Sequence, residues 1–446
     1  MSSVLGPDVV RRLAEDVAGR LAESENTNGG GRRNGHAHTD PVAREALAAK
    51  LLNDALDGFA HERITKGQEP LTSADEDDLA ERVRAQLFGL AELERLVRDD
   101  SVENVLCNGW DAIWRRHADG TRERVAPITD GEEALTEVIR QAAATQGRTE
   151  RRFDMGQPWV SFRLSDGSRF TAVRREVAGR TVFALRRHRH SDVDVAELLR
   201  LGTVSELVAS LLAAVVRSRR NLLVVGGTDA GKTTLLRALI NEIPGSERLV
   251  TVEDALELQL SKHPERHPDV VELECRETNI EGEGAVTMRD LTRLALRLSP
   301  DRVIVGEARG PEILDMFQAM SQGNDGSMGT LHARSTGDAF VQIMRYALKA
   351  PEHLTPDAVA VDIAASLDLV VHIAKLTNGR RVVTSVREVV GYEGAMVLSN
   401  EVLAPDRSGR AAPTGRPFQE RTLDALVDAG FEPDLFDVPA GGGWGW

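Results

Sequence analysis

The chain has 446 residues, of which 41% are hydrophobic and 28% are charged, proportions typical of a soluble globular protein with room for two or three domains. Its formal net charge of −15 argues against broad, sequence-independent binding of nucleic acid, which depends on Lys and Arg contacts to phosphates. No run approaches the ~20 apolar residues that a membrane span requires, and the N-terminus lacks the apolar core of a secretory signal. Two cysteines, Cys107 and Cys275, form neither a disulfide framework nor a metal-ligand pattern, which fits the cytosol.

Residues 1–40 are predicted to be a flexible N-terminal segment. It contains a short amphipathic helix at residues 5–20, followed by NTNGGGRRNGHAHTD, a Gly/Asn-rich stretch typical of linkers. Helical patterning resumes in ALAAKLLNDALDGFA and again in SADEDDLAERVRAQLFGL, where acidic residues are favourable near the positive end of a helix. Residues 41–98 are therefore predicted to be a small helical module. Docking to a partner and packing on the next domain are equally consistent with its composition.

Residues 101–190 are predicted to form an α+β domain. Short β-like runs flank the tight-turn signal Asn108-Gly109, and WVSFRLSDGSRFTAV alternates apolar with polar residues on both sides of a turn. Between residues 148 and 190 there are eleven arginines against four acids, in a chain that is acidic overall. Solvated strand faces account for most of these arginines. Others are suited to reach a phosphate bound by the next domain, because the guanidinium is always charged and pairs bidentately.

The rest of the chain is predicted to be α/β. SDVDVAELLRLGTV, residues 191–204, reads as a linker with a short helix. Over residues 205–395, strand-like runs alternate with helical ones, which predicts a largely parallel sheet with helices on both faces. Residues 396–446 are predicted to be a C-terminal extension. Its closing GGGWGW fits both a disordered tail and a segment docked in a hydrophobic groove.

The strongest motif follows an apolar run at residues 222–225 and reads GGTDAGKT, which matches G-x-x-x-x-G-K-[ST] without deviation. Such a loop closes backbone N–H groups around phosphate oxygens at the positive end of a new helix. Lys232 supplies a cation for the β- and γ-phosphates, and Thr233 is positioned to bind Mg²⁺ through its hydroxyl. The residues predicted to bind the nucleotide here are Gly226, Gly227, Thr228, Asp229, Ala230, Gly231, Lys232, Thr233 and Thr234.

Two later strands end in carboxylates. TVED, residues 251–254, places two carboxylates, Glu253 and Asp254, at the end of a strand, with Glu257 nearby. Carboxylates at the carboxyl end of a parallel strand can orient Mg²⁺ through water. The run VIVGEAR has Gly306 where a typical Walker B strand has its metal-binding Asp. This leaves Glu307 to polarise an attacking water, and Arg309 to stabilise charge on the transferring phosphoryl group.

A glycine-rich loop, GNDGSMGTLH, leads into a further strand and His332. An isolated histidine is commonly structural. After three glycines and a threonine, however, His332 fits a sensor that contacts the γ-phosphate or positions Glu307.

Together, GGTDAGKTT, TVEDALEL, SPDRVIVGEARGPE and GSMGTLHA resemble the Walker A, Asp box, Walker B and His box of secretion-superfamily ATPases, the RecA-like motors of type II and type IV secretion and of type IV pili. The intervening VVELECRETNIEGEGAVTMRDLTRLALRLSPDRVIVGEARG and the upstream LFGLAELERLVRDDSVENVLCNG are similar to the Tad/CpaF-type pilus-assembly branch. The resemblance covers roughly residues 73–395.

This resemblance implies a RecA-like P-loop ATPase domain that uses ATP and Mg²⁺, preceded by the α+β domain and the helical module. It implies a hexamer in which each nucleotide lies between a RecA-like domain and an N-terminal domain. The partner would be an inner-membrane platform protein, with the ATPase in the cytoplasm at the inner face of the membrane and no direct contact with nucleic acid. Glu253 falls on the Asp-box acid, which is both catalytic and part of the metal site, and Glu307, Arg309 and His332 fall on the other catalytic positions. Arg169 and Arg186 match nucleotide-binding arginines of the N-terminal domain.

Two departures from the family pattern concern turnover. Gln322-Gly323-Asn324 replaces the T-G-H that usually begins the His box, so the first histidine is absent. Asp229 stands where the family commonly has glycine, and an acid there opposes a bound anion, which predicts weaker ATP affinity and reduced turnover. These departures keep open a weakly hydrolysing regulatory scaffold as an alternative to a secretion ATPase. A nucleic-acid-translocating P-loop motor also stays open, because RecA-like P-loop domains also translocate DNA.

Overall fold

The computed structural model describes residues 7–28, 41–88, 93, 96–97, 99, 101–117, 119–145, 151–164, 167–187, 193–276, 278 and 283–437. The chain divides into two compact units, Met1–Arg189 and His190–Trp446, here called the N-terminal and C-terminal units. Within the described residues, no helix is both long enough and apolar enough to cross a bilayer. Residues 29–40 of the predicted linker at residues 26–40, and the GGGWGW tail, lie outside the described residues.

The N-terminal unit begins with three helices that share one small core. They are α1 (Pro7–Asn28), α2 (Pro41–Thr65) and α3 (Ser73–Phe88). Val10, Leu13 and Val17 recur at helical spacing on α1 and are buried with Leu52 and Leu79 of the other two helices. Residues 7–28 are thus a packed helix, longer than the predicted 5–20, and not part of a flexible segment. An apolar stripe of this kind is stable only when a partner helix covers it.

A six-stranded antiparallel sheet follows, in the order β3-β2-β1-β6-β5-β4. Its strands are β1 (Val102–Cys107), β2 (Ile113–His117), β3 (Arg122–Val125), β4 (Trp159–Arg163), β5 (Arg169–Val173) and β6 (Val182–Arg186). Helix α4 (Glu132–Thr145) belongs to the core of this domain, and the short α5 (Arg175–Ala178) connects β5 to β6. In β4, β5 and β6, buried residues alternate with more accessible ones, as expected for a sheet with one face in a core. This confirms an α+β N-terminal domain.

The C-terminal unit contains a nine-stranded sheet in the order β15-β14-β13-β12-β7-β11-β10-β8-β9, parallel from β12 to β9 and antiparallel from β12 to β15. Its strands are β7 (Leu222–Gly226), β8 (Leu249–Glu253), β9 (Val270–Glu274), β10 (Arg302–Ala308), β11 (Met328–His332), β12 (Leu369–Lys375), β13 (Arg381–Glu393), β14 (Met396–Pro405) and β15 (Ala411–Pro413). Its helices are α6 (Val195–Arg200), α7 (Glu206–Arg217), α8 (Lys232–Ile240), α9 (Met288–Ala295), α10 (Glu312–Ser321), α11 (Thr336–Ala347), α12 (Pro356–Ser366) and α13 (Glu420–Asp428).

Strand β7 lies inside the sheet, between β12 and β11, and all five of its residues are buried. Leu222 and Val224 join the hydrophobic cluster on one face, whereas Leu223 and Val225 join the cluster on the other. A strand that is covered on both faces reads as a continuous apolar run, as this one does. The strand that leads into the phosphate loop is therefore held in place by neighbouring strands on both sides.

Two segments that were predicted to lie outside the ATPase domain belong to the core or the sheet of this unit. Val195 and Leu198 of the segment predicted as a linker are buried in the core of the sheet. Beyond residue 395, β14 and β15 extend the sheet, and α13 supplies the buried Leu426. The predicted C-terminal extension thus adds strands to the same sheet, because β13 and β14 form a long hairpin around Gly394.

Candidate nucleotide-binding site

The sheet order brings four sequence motifs to one edge. Strands β7, β11, β10 and β8 are consecutive parallel neighbours, and the phosphate loop, His332, Glu307 and Glu253 lie at their carboxyl ends. Ligands of open α/β sheets bind outside that edge. The topology therefore assembles residues from four distant stretches of sequence into one site.

The phosphate loop occupies residues 227–231, between β7 and α8, and Lys232, Thr233 and Thr234 open the helix. Gly231 has φ 98°, a left-handed conformation that favours glycine. A Cβ atom on Gly226 would lie 2.3 Å from the carbonyl oxygen of Ile373 on the adjacent strand. Two glycines of the motif thus have a steric reason as well as a role in approaching phosphate.

Lys232 and His332 meet beneath this loop. The buried Lys232 Nζ donates to the carbonyl oxygens of Gly226 at 3.3 Å and Gly227 at 3.1 Å, and it lies 3.2 Å from His332 Nδ1. Burial and the charge of Lys232 lower the pKa of His332 below its ordinary value, against the opposing effect of Glu307. A neutral ring that accepts from Lys232 at Nδ1 carries its proton on Nε2, which faces Glu307.

Glu307 is surrounded by cationic and polar groups. Its Oε1 lies 2.6 Å from His332 Nε2 and 3.8 Å from Lys232 Nζ, and its Oε2 accepts from Arg309 Nε at 2.7 Å. Oε1 accepts no well-aligned hydrogen bond from the described residues, although His332 Nε2 lies close to it. Arg309 also contacts Asp254 at 3.3 Å. Glu307 therefore contacts both Arg309 and His332, two of the other residues predicted to be catalytic.

Glu253 is a buried carboxylate, 2% exposed, at the end of β8. Its Oε2 accepts from the backbone N–H groups of Glu257 at 2.8 Å and Leu258 at 3.0 Å. Burial, partly offset by these hydrogen bonds, raises the pKa of Glu253 to about 8. A Cβ atom at Gly306 would lie 2.9 Å from Glu253 Cγ, so the glycine at the usual Walker B position leaves room for this carboxylate.

The residues around Glu253 fit a magnesium ion. Its Oε1 is buried and lacks a hydrogen-bond partner among the described residues, and Thr233 Oγ1 lies 3.4 Å from Glu257 Oε2. Hydroxyl and carboxylate oxygens are suitable ligands for Mg²⁺, which binds through few protein groups and keeps water and substrate phosphates as its other ligands. The described residues contain no group of three or more His, Cys, Asp or Glu side chains that could hold a metal by themselves.

Arg169 and Arg186 lie in the N-terminal unit, directly opposite each other on β5 and β6. The same cross-strand row contains Arg163 beside Arg169, and Asn104 and Arg116 beyond Arg186. Like charges placed directly opposite each other on a sheet are destabilising. The row thus concentrates positive charge along one line of the sheet, which is consistent with recognition of an anion.

The two departures from the family pattern occupy different places. Asn324 precedes β11 and donates to Pro300 O at 2.5 Å, so it lies beyond the amino end of the strand whose carboxyl end carries His332. Asp229 lies in the phosphate loop and is ion-paired with Lys375 and Arg381. Burial alone would raise its pKa, but hydrogen bonds and charges from these two cations lower it. The carboxylate is therefore neutralised by two partners.

Sequence reasoning missed several of these residues. Lys375 and Arg381 belong to no motif and lie far along the chain from the phosphate loop. Thr330 was also missed; its buried hydroxyl donates to Gly306 O at 2.7 Å and ties β11 to β10 beside Glu307. The only available signal was position, because Thr330 immediately precedes the last two residues of a predicted strand.

A phosphate loop and strand-end carboxylates on the central strands of a parallel sheet define a RecA-like P-loop protein. Comparison with known proteins narrows the class. The family model described as Type II/IV secretion system protein matches residues 86–402. The chain is 36% identical over 319 residues to a putative conjugal transfer protein of Mycobacterium tuberculosis, covering 70% of this chain and 88% of that protein.

Further relatives are consistent with this match. The conjugal transfer protein TrbB of Rhizobium radiobacter is 30% identical over 265 residues, covering 58% of this chain and 75% of that protein. The crystal structure of the pilus retraction motor PilT with bound ADP aligns with TM-score 0.50 and 18% identity, over 78% of this chain and 98% of that one, a likeness of fold. The chain therefore belongs to the type II/IV secretion system protein family, within the superfamily of secretion ATPases.

Proposed function

We propose that this protein hydrolyses ATP with Mg²⁺ and uses the energy to drive assembly of a Tad-type pilus, or type II/IV secretion, through an inner-membrane platform protein. The observation that carries the proposal is the contact of Glu307 with His332, Arg309 and Lys232 at the carboxyl edge of the sheet. A carboxylate beside the phosphate loop, oriented by a neutral histidine, is suited to position and polarise a water molecule.

The roles of the remaining residues follow from their chemistry. The backbone of residues 227–231 and Lys232 would hold the β- and γ-phosphates, and Arg309 would stabilise charge on the transferring phosphoryl group. Thr233 and Glu253 would hold Mg²⁺, which would neutralise phosphate charge when bound. With its pKa raised to about 8, the carboxyl group of Glu253 is largely protonated at neutral pH. It must therefore lose this proton before it can act as an oxygen ligand.

The assembly is part of the same proposal. We infer a ring, in keeping with hexamers of the family, in which Arg169 and Arg186 reach the phosphates of a nucleotide and so complete the site. The cross-strand arginine row supports this inference because it concentrates positive charge on one line of the sheet. The protein would act in the cytoplasm, held at the inner face of the membrane by its platform partner.

A single substitution tests the enzymatic proposal. Glu307→Gln keeps the shape of the side chain but removes its charge, so we expect ATP binding to be retained and phosphate release to fall by about a hundredfold or more. Glu432→Gln, an exposed site near the C-terminal end of the described residues, is the matched control. Undiminished turnover in Glu307→Gln would contradict the assignment. Capture of membrane proteins by Glu307→Gln loaded with ATP then tests for the platform partner.

A further inference from the structure

Asp229 occupies the middle of the phosphate loop, where the negative charge of its carboxylate would repel a bound phosphate. Its backbone has φ 60°, in the left-handed region that Asp and Asn tolerate better than most residues. Its side chain is only partly accessible, 34% exposed. Three hydrogen bonds from two cationic side chains converge on this single residue.

The two cations come from one hairpin. Lys375 ends β12, Arg381 begins β13, and the two residues are paired in register across the hairpin. Lys375 Nζ donates to Asp229 Oδ2 at 2.9 Å, and Arg381 donates through Nη2 to Oδ1 at 2.8 Å and through Nε to the backbone carbonyl of Asp229 at 3.1 Å. The side chain and the backbone of the loop are therefore both attached to the hairpin.

The same hairpin packs against the rest of the loop. Strand β12 pairs in parallel with β7, with Ile373 opposite Gly226. A Cβ atom on Gly231 would lie 3.2 Å from Arg381 Cδ, so the arginine stem runs along the loop at its last glycine. The hairpin thus lines the phosphate loop from Gly226 to Gly231, with Asp229 as its polar attachment point.

We propose that Asp229, Lys375 and Arg381 form a brace that holds the phosphate loop in the conformation that binds nucleotide, which makes Asp229 a positioning residue for ATP binding. The proposal rests on the proposed nucleotide-binding function of this site. The three side chains together carry a net charge of +1, so the brace leaves no uncompensated negative charge at the loop. Ordering a loop before the ligand arrives lowers the entropic cost of binding.

The brace and simple repulsion by Asp229 predict opposite changes in nucleotide affinity when Asp229 is replaced. If the acid merely repels phosphate, Asp229→Asn and Asp229→Gly must tighten nucleotide binding. If the brace positions the loop, both substitutions must weaken it, even though Gly and Asn accept the left-handed backbone. From the strength of partly exposed ion pairs, we expect Kd for ADP to rise about threefold to tenfold. The KM for ATP should rise by a larger factor than kcat falls.

The experiment is isothermal titration of the full-length chain with MgADP, with Asp428→Asn as a control for the change in net charge. A double-mutant cycle adds Lys375→Met, and we expect Asp229→Asn with Lys375→Met to bind no more weakly than Asp229→Asn alone. Tighter or unchanged binding in Asp229→Asn, or additive losses in the cycle, would overturn the brace.

Hydrogen exchange separates failure of the brace from failure of the proposed function. Amides of residues 227–231 should exchange faster in Asp229→Asn than in the wild type when no nucleotide is present. Unchanged exchange would overturn the brace. If the wild-type chain bound no ADP at all, the proposed function would fail, while the exchange comparison would still test the brace.

Discussion

Gly306 and Glu253 share one space at the carboxyl edge of the sheet. A Cβ atom on Gly306 would lie 2.9 Å from Cγ of Glu253, and the buried Glu253 side chain has little room to move away. The glycine at the end of β10 and the carboxylate at the end of β8 are therefore complementary. The side chain of Glu253, on the neighbouring strand, therefore occupies the space that a side chain at position 306 would need.

Gly306→Ala tests this relationship. The added methyl group should displace Glu253 and lower the free energy of unfolding by about 1–3 kcal/mol, the usual cost of overpacking a buried site. ATP turnover should fall as well, because Glu253 would leave the metal site. Chemical denaturation and phosphate release measure the two effects. Gly58→Ala is the control, since nothing lies within 4 Å of a Cβ atom on that helical glycine. Equal stability of the two variants would contradict the close contact.

The raised pKa of Glu253 predicts how stability changes with pH. Between its ordinary value of 4.5 and about 8, the folded protein holds a proton on Glu253 that the unfolded chain releases. The contribution of this group to stability is thus fully present at low pH and is lost as the pH rises to about 8. Between pH 6 and pH 8.5, without nucleotide or Mg²⁺, the unfolding temperature of the wild type should fall by roughly 5 °C more than that of Glu253→Gln. Parallel pH profiles for the two proteins would show that Glu253 titrates normally; Glu432→Gln should follow the wild type.

His332 is expected to act through its neutral ring. His332→Gln removes the contact that orients Glu307, so hydrolysis should fall about tenfold to a hundredfold at saturating ATP. Because burial and Lys232 lower its pKa, the ring stays neutral down to below its ordinary value of 6.5. Wild-type turnover should therefore persist below pH 6.5 before it declines. His61→Gln, at an exposed position on α2, should leave turnover unchanged; an equal loss in both variants would argue against a role at the site.

Arg169 and Arg186 are expected to contribute to nucleotide binding and to be needed for hydrolysis. A double substitution to Ala should reduce phosphate release by about tenfold to a thousandfold, in line with arginines that stabilise phosphoryl-transfer charge. Arg152→Ala, at an exposed position in the same arginine-rich region, is the control.

Mixing two inactive proteins tests whether these arginines act across a subunit boundary. If they reach a neighbouring subunit, the Arg169→Ala/Arg186→Ala protein and Glu307→Gln should partly restore turnover together, because some mixed sites contain only intact residues. No restoration, despite mixed rings detected by mass spectrometry, would place both groups in one chain.

Much of the site was predictable because its residues occur in short, local sequence motifs. Glycines around a phosphate and carboxylates after apolar strands were recognisable one segment at a time, and a parallel sheet must bring their ends to one edge. The α1 helix was underestimated because its apolar stripe becomes stable only against α2 and α3.

The relationships that were missed depend on distant pairs. Asp229 looked like an unfavourable charge because its partner Lys375 lies 146 residues further along the chain. Gly306 looked like a missing ligand because the atom that fills its place belongs to Glu253, on another strand. Composition and periodicity describe one stretch of sequence at a time. Contacts between residues that are far apart in the sequence can therefore be seen only in the tertiary structure.

Strand β7 has a mechanical consequence for a protein of this kind. Its side chains interlock alternately with the hydrophobic clusters on the two faces of the sheet, so the base of the phosphate loop cannot shift without disturbing both. Densely packed interiors have low compressibility and transmit strain. If the site binds nucleotide as proposed, a rearrangement there would be passed to the helices on both faces of the sheet, while β7 stays fixed between them.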